Sequence, residues 1–411
     1  MANQLITPNW VLKRVGRLAI NNLKFANNVD RSYDDEYVQA GAKVGDTISL
    51  RLPQRFQTTK GQAFQQQGIT DRIVPVTLTD QANVGIAFSS KQLTVDVDDY
   101  NSRYVEPAAV QLANTIDYDG LSRIFRLVYN VVGTAGSNPT ANSVYLAANT
   151  LLSNMAAPPR RMVITNPDMQ ASITNANFAL FNPTGTISDS FDTGVYSTNT
   201  LGFRSWYWDQ NVARFTNGTF AGSPLVNGAD QTGTSLITDG WTSGSTSLTV
   251  GTVFTLGPSA VAGTAGVFAV NPQNYQSTGS LQQFRVTAAI SDTTGALTAT
   301  IDPPIITSGP LQTVTASPVD NAVITIVTGT TAQTSAQGLA WVKEAVVMVM
   351  ADLVEPEGGA ISERIRSKPL GFALRLAKQW NILSDQNLAR IDCIYGWQAY
   401  RPEWIVRILG A

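Results

Sequence analysis

Glu106 to Val132 reads EPAAVQLANTIDYDGLSRIFRLVYNVV, and this stretch decides how the rest of the chain is organised. Ala109, Leu112, Ile116, Leu121, Ile124, Phe125, Val128 and Val132 recur at helical spacing, which places them on one apolar stripe. Asn114, Asp117, Asp119, Arg123 and Arg126 fall largely outside it. Pro107 suits a first helical position, where a missing N–H costs nothing. Gly133 offers a stop after Val132. The pattern predicts one amphipathic helix of about 40 Å, the spine of an elongated subunit. A buried core helix of an α/β protein has the same periodicity.

Working outward towards the N-terminus, residues 45–95 switch to period two. Thr47 to Leu52 alternates, as does Val74 to Leu78. Between them lies a polar tip, TTKGQAFQQQG, residues 58–68. This predicts a long hairpin that has little core of its own and must lie on something else. Before it, Trp10, Val11, Val15, Leu18 and Ala19 are spaced as a short helix, with Lys13, Arg14, Arg17 and Lys24 and no acid before Asp30. Such a basic amphipathic piece suits either a partner surface or packing on its own subunit.

Towards the C-terminus, a second helix is predicted after Pro139, with Val144, Ala147, Leu151 and Met155 as its stripe and Pro158-Pro159 as its end. Arg161 to Ile164 reads as a buried strand closing on a turn at Asn166-Pro167-Asp168. From Thr216 to Val342 the chain has one basic residue, Arg285, and five acidic ones. Short β-type runs there alternate with Gly, Ser, Thr and Pro: Ser247–Val250, Val253–Leu256, Val267–Val270, Phe284–Thr287 and Leu297–Ile301. This spacing predicts a small inserted β barrel or sandwich. Leu339 to Val354 is expected to be helix followed by strand. Ile361–Arg366, Phe372–Leu376, Ile391–Tyr395 and Trp404–Leu409 are expected strands.

Composition excludes whole classes of chemistry. The 411 residues contain no histidine, which removes Ser-His-Asp and Cys-His catalysis and His-ligated zinc. The single cysteine, Cys393, cannot form an intrachain disulfide, and its apolar neighbours predict a buried structural thiol. Charged residues are only 14% of the chain and the formal net charge is -2, so no basic field advertises a nucleic-acid binder. A polar, weakly charged surface suits a protein packed against its own copies, and a secreted β-rich protein would look similar. No signal peptide is visible and no apolar run nears the roughly 18 residues of a membrane span, so a soluble chain made in a reducing cytoplasm is expected.

Motifs for chemistry are wanting. The chain has no Gly-Lys dipeptide and no Gly-x-Gly, so P-loop and dinucleotide fingerprints are absent. Counting an EF-hand loop from Asp96 puts Tyr100 and Asn101 where an oxygen ligand and glycine are needed. Asp34-Asp35-Glu36 and Asp98-Asp99 read as surface turns rather than glycosidase pairs. No catalytic, cofactor-binding or metal-ligating residue is assigned, and no cofactor is expected. Lys60, on the polar tip, reads as a solvated or salt-bridging lysine.

Four stretches carry a resemblance. They are Leu112 to Asp117; Thr165 to Asp168; Gly251 to Leu256 with Val270-Asn271-Pro272 and Leu281 to Phe284; and Arg390-Ile391-Asp392 through Tyr395-Gly396 to Arg401-Pro402-Glu403. In order and spacing the set resembles the major capsid (coat) protein of tailed bacteriophages, in the branch typified by the Salmonella short-tailed phage whose coat carries an inserted β domain. The resemblance implies an α+β tailed-phage capsid fold with an inserted all-β, barrel-like domain. It implies an N-terminal arm (1–44), an extended hairpin loop over a neighbour (45–104) and a peripheral domain with the spine helix (105–160). Residues 161–215 would be axial domain and return strand, 216–337 the inserted domain, and 338–411 axial domain and C-terminal peripheral strands.

The function implied is a non-enzymatic shell protein whose pentamers and hexamers enclose double-stranded DNA without reading its sequence. Portal, scaffolding and decoration proteins are the further partners, no membrane is involved, and the location is the virion capsid, with host cytoplasm during assembly. Expected subunit contacts are Lys60, Gln65, Gln66, Arg123, Arg126, Arg285, Arg401 and Glu403; expected scaffold or neighbour contacts are Trp10, Lys13, Arg14 and Arg17. Two rivals stand beside this: a bacterial nanocompartment shell of the same fold, and a β-rich carbohydrate-binding adhesin or glycosidase.

Overall fold

The computed structural model describes residues 23–32, 47–89 except 59, 63, 65 and 70, 106–176 except 141, 201–259, 266–354 except 293, 361–367, and 372–411. The basic N-terminal helix, the acidic pairs at 34–36 and 98–99, and the loop counted from Asp96 lie outside these residues. The chain divides into two compact units that interleave along the sequence. One comprises residues 1–50, 73–121 and 346–398; the other comprises 51–72, 122–345 and 399–411.

The long helix is continuous from Glu106 to Leu127, about 33 Å at helical rise. Its predicted stripe is buried at Ala109, Leu112, Ile116, Leu121, Ile124 and Phe125. It ends five residues earlier than the stripe suggested. Val131 and Val132 instead form a short strand, parallel to Arg407 and Ile408. β-branched residues favour that conformation. The Asn130 carbonyl accepts the Arg407 N–H at 2.8 Å, which draws the tail into the sheet.

In the first unit, strand Gln386–Ala399 pairs antiparallel with Phe372–Asn381 and with Asp80–Ser89. Val346–Ala351 and Ile361–Ser367 complete a five-stranded sheet. Asp80–Ser89 thus joins a sheet rather than continuing the hairpin, whose two strands are Thr47–Leu52 and Arg72–Thr77. Gly120 packs under Trp397: a Cβ there would lie 2.7 Å from the indole. Trp397 also stacks on Phe25, with centroids 5.3 Å apart.

In the second unit a mixed sheet runs in the order Val131–Val132, Ile405–Leu409, Thr334–Val342, Arg161–Thr165, Ser205–Trp208. Arg214–Thr216 pairs with the start of Thr334–Val342. The strands Ile405–Leu409 and Arg161–Thr165 are buried at every residue, as expected of central strands covered on both faces. Helix Asn142–Asn154 buries Tyr145, Ala148 and Leu152; of the predicted stripe, Val144 and Leu151 pack against the same core and Met155 is buried, while Ala147 is exposed. Asn166-Pro167-Asp168 starts a helix, Pro167–Ala176, rather than a plain turn. The Asn166 side chain accepts the Met169 N–H at 2.8 Å, an N-cap with proline at the first helical position.

The segment Leu339 to Val354 contains no α-helix. It is strand Thr334–Val342, a 3-10 turn at Lys343–Ala345 and strand Val346–Ala351. A strand buried on both faces is apolar throughout, so its sequence carries no period to tell it from a buried helix.

The inserted region closes into a six-stranded barrel: Val253–Ser259, Gln283–Val286, Leu297–Ile305, Gly233–Trp241, Gly222–Val226 and Ala322–Ile326. Residues along Leu297–Ile305 alternate between buried and not, as a barrel wall requires. Val226, Leu236, Phe254, Leu256, Phe284, Val286 and Ile301 fill the core.

Candidate functional site

The candidate residues, some singled out from sequence and some not, gather at three places within the second unit and one in the first. The first place is the foot of the barrel. Arg285 pairs with Asp302 at 2.9 Å and donates to the Arg126 carbonyl at 3.4 Å. Arg126 and Arg285, 159 residues apart, are therefore neighbours. Next to them Gln283 uses its side-chain amide as a strand residue would: its Nε2–H donates to the Val131 carbonyl at 2.9 Å, and its Oε1 accepts the Val131 N–H. The barrel is thereby tied to the edge of the mixed sheet by a side chain.

Beneath this foot lies a residue that the sequence reading missed. Arg407 is fully buried on the C-terminal strand. Its Nε–H donates to Gln337 Oε1 at 2.9 Å and its Nη1–H to the Gly251 carbonyl at 2.6 Å. Its guanidinium lies 5.3 Å from the Phe125 ring and 5.1 Å from the Phe215 ring. No carboxylate pairs with it among the described residues; Nη2 has no hydrogen-bond partner there. Burial, and then the charge of Arg285, lowers its pKa. One cation therefore joins the helix end, the first barrel strand, the mixed sheet and the C-terminus through rings and carbonyls.

The third place is the base of the extended loop. Glu403 pairs with Arg55 at 2.9 Å. Arg401 stacks on Trp404, with the guanidinium carbon 4.1 Å from the ring, in the same turn, Pro402–Trp404. The Tyr400 hydroxyl donates to the Arg51 carbonyl at 2.6 Å. Beyond this base, Lys60 and Gln66 are exposed, and Gln65 lies outside the described residues. So do Trp10, Lys13, Arg14 and Arg17. Arg123 is half-buried on the long helix.

In the first unit Asp117, outside the predicted apolar stripe, is nonetheless only 1% exposed. Its carboxylate accepts the backbone N–H groups of Lys24 (2.6 Å), Phe25 (3.1 Å) and Ala26 (2.9 Å). Residues 24–26 are thus clipped to the long helix by charge-assisted bonds. Asp30 continues the attachment by bridging to Val347. The Tyr395 hydroxyl donates to Asp119, and burial with that bond raises its pKa. Cys393 is buried, and burial pushes its thiol up to about 12, so it is a packing residue and not a nucleophile. Among the described residues no group of three His, Cys, Asp or Glu side chains is placed to hold a metal ion, and no helix is long and apolar enough to cross a membrane.

A carbonyl-bound cation, a side-chain amide acting as a strand edge and a carboxylate on backbone N–H groups all fix one segment to another. A family model described as P22 coat protein, gene protein 5, matches residues 3–410. The chain belongs to the P22 coat protein family. It is a major capsid protein with the tailed-phage capsid fold, and it forms an icosahedral shell. Among solved structures, a protein of Mycobacterium phage Che8 is 13% identical, with 94% of this chain and 90% of that one covered, at a TM-score of 0.45. The capsid of Ralstonia phage GP4 is 10% identical over 89% of this chain and 83% of that one, at 0.43. A virus-like particle from Pyrococcus furiosus is 7% identical over 97% and 98%, at 0.38. Likenesses at this level decide nothing that the family match does not. No curated protein sequence matches the chain.

Proposed function

We propose that copies of this capsid protein assemble as pentamers and hexamers around double-stranded DNA, and that the chain has no enzymatic role. Portal and scaffolding proteins are its assembly partners, and assembly takes place in the host cytoplasm. Arg123, Arg126, Arg285, Arg401 and Glu403 act at or beside subunit contacts in this reading. The ribbon of strands Thr47–Leu52 and Arg72–Thr77, with the tip between them, is the loop that lies over a neighbouring copy.

One observation carries the reading: large apolar side chains stand in water on slender projections. Phe64 is 90% exposed and Ile69 69% on the loop; Leu383 is 93% and Ile382 74% on the turn after strand Phe372–Asn381. Each such side chain gains about 1.5–3 kcal/mol when buried, and among the described residues it stays largely uncovered. Association of many copies covers it. A net charge of -2 also suits DNA that must leave again, since a strongly basic lining would retain phosphate.

The test is assembly of the purified full chain with and without a scaffolding partner, followed by electron microscopy and nucleic-acid analysis of particles. Closed shells containing DNA in virion-derived material are expected. Persistent monomers, with no shells, tubes or capsomers, would sink the proposal; shells that carry enzymes and no DNA would favour a nanocompartment.

A further inference from the structure

The extended loop is held by its own chain, and one of the holding groups comes from the inserted region. At the loop base, Tyr400 bonds the Arg51 carbonyl and Glu403 pairs with Arg55. Further out, the Tyr275 hydroxyl lies 3.2 Å from the Phe56 carbonyl and 3.2 Å from the Pro310 carbonyl. One O–H is thus shared between the loop and the barrel side.

Tyr275 is aimed at that spot by a costly backbone. It sits between strands Phe268–Val270 and Ser277–Leu281, which pair with each other. The Asn271 side chain accepts the Gln273 N–H at 2.9 Å, and the Tyr275 N–H donates to the Asn271 carbonyl at 2.9 Å. The turn leaves Tyr275 at φ 56, a left-handed conformation that disfavours residues other than glycine. Such conformations persist where the surroundings over-determine them, and they gather at clamps and switches. Next to the contact, the Gln57 N–H donates to Gln67 Oε1 at 2.9 Å and Gln67 Nε2–H returns to the Gln57 carbonyl. A loop fixed at Phe56 therefore carries both its limbs with it, from Gln57 across to Gln67.

We propose that Tyr275 is a latch: the inserted region sets the direction of the extended loop in the unassembled subunit, before any neighbour is present. The latch belongs to the single chain. Only its consequence, that the barrel presets the surface offered to the next copy, rests on the shell reading above. Tyr275 acts here as a positioning residue through the loop backbone.

The experiment uses the full-length unassembled subunit and limited trypsin digestion, read as the rate of cleavage after Arg55. Tyr275→Phe keeps the ring and removes the donor. Cleavage is expected to quicken about fivefold, the effect of one modest hydrogen bond, while the denaturant midpoint of the subunit stays put. Glu403→Gln should quicken it as well, and the two together should be non-additive because both hold one segment. Unchanged cleavage in Tyr275→Phe, with Glu403→Gln accelerated, overturns the latch. So does a fall in the unfolding midpoint large enough to account for the faster cleavage, which would make Tyr275 a stabiliser of the inserted region only. Amide exchange stands beside these: the Gln57 amide, next to the latched Phe56 carbonyl, should exchange with solvent about fivefold faster in Tyr275→Phe than in the wild-type subunit, and equal rates would again overturn the proposal. None of these readings needs a particle to form, so failure of the shell reading would leave them intact.

Discussion

The barrel and the extended loop lie in one unit and are written in the same alphabet of alternating apolar and polar residues, yet they dispose of their apolar side chains in opposite ways. In the barrel Phe284, Leu256 and Val286 are wholly buried. On the loop Phe56 is 61% exposed and Phe64 90%. The difference is closure. Six strands that return on themselves leave no edge and enclose a core. A two-stranded ribbon has only two faces and nothing between them. The barrel is a finished object within one chain, whereas the loop is half of a contact.

The largest effect should follow from opening the finished object. Phe284 packs near Phe254 at the barrel centre, with ring centroids 6.0 Å apart. Phe284→Ala should cost about 3–5 kcal/mol, seen as a lower urea midpoint and rapid exchange of barrel amides. A loss below about 1 kcal/mol would mean that the barrel core is loosely packed, and the contrast with the loop would fail.

Next comes the joint that seats the barrel. Arg407→Ala removes the donors to the Gly251 carbonyl and Gln337 Oε1 and leaves both acceptors buried. Each unsatisfied buried group costs about 1–3 kcal/mol. A loss of about 2–3 kcal/mol in subunit stability is expected, with barrel amides such as that of Phe284 still protected. A barrel that melts together with this joint would show that it is less self-contained than its closure implies.

What could be read beforehand follows the same division. The helix stripe from Ala109 to Phe125 and the barrel strands around Phe284 and Leu297 were legible, because each has one wetter and one dry side and so prints a period. Val128 to Val132 continued the helical spacing and so was misleading, and Leu339 to Val354 was not legible, because strands buried on both faces print no period. The buried charges were illegible for another reason. Asp117 and Arg407 pair with backbone groups of Lys24 and Gly251, far away in the chain, and backbone partners leave no complementary side chain to notice. Pro139 marked a helix start, but Asn166-Pro167-Asp168 read as a turn, and the capping role of Asn166 shows only where its side chain meets the Met169 N–H.

The smallest effect on the subunit should come from the residue that looks most out of place. Phe64 touches water over nearly its whole surface, so Phe64→Ser removes little that holds the chain together. Exposed substitutions of this kind shift stability by no more than about 0.5 kcal/mol, and the urea midpoint should stay where it is. Assembly should respond, because a contact that buries Phe64 loses about 2 kcal/mol per copy, and a closed shell multiplies that loss by its number of copies. A raised critical concentration for particle formation, with an unchanged midpoint, is the expected pair of results. A midpoint that falls with the particle yield would mean that Phe64 is already covered by its own chain in solution. The loop would then be a finished object like the barrel, and what separates the two regions would be exposure alone, with no difference in purpose.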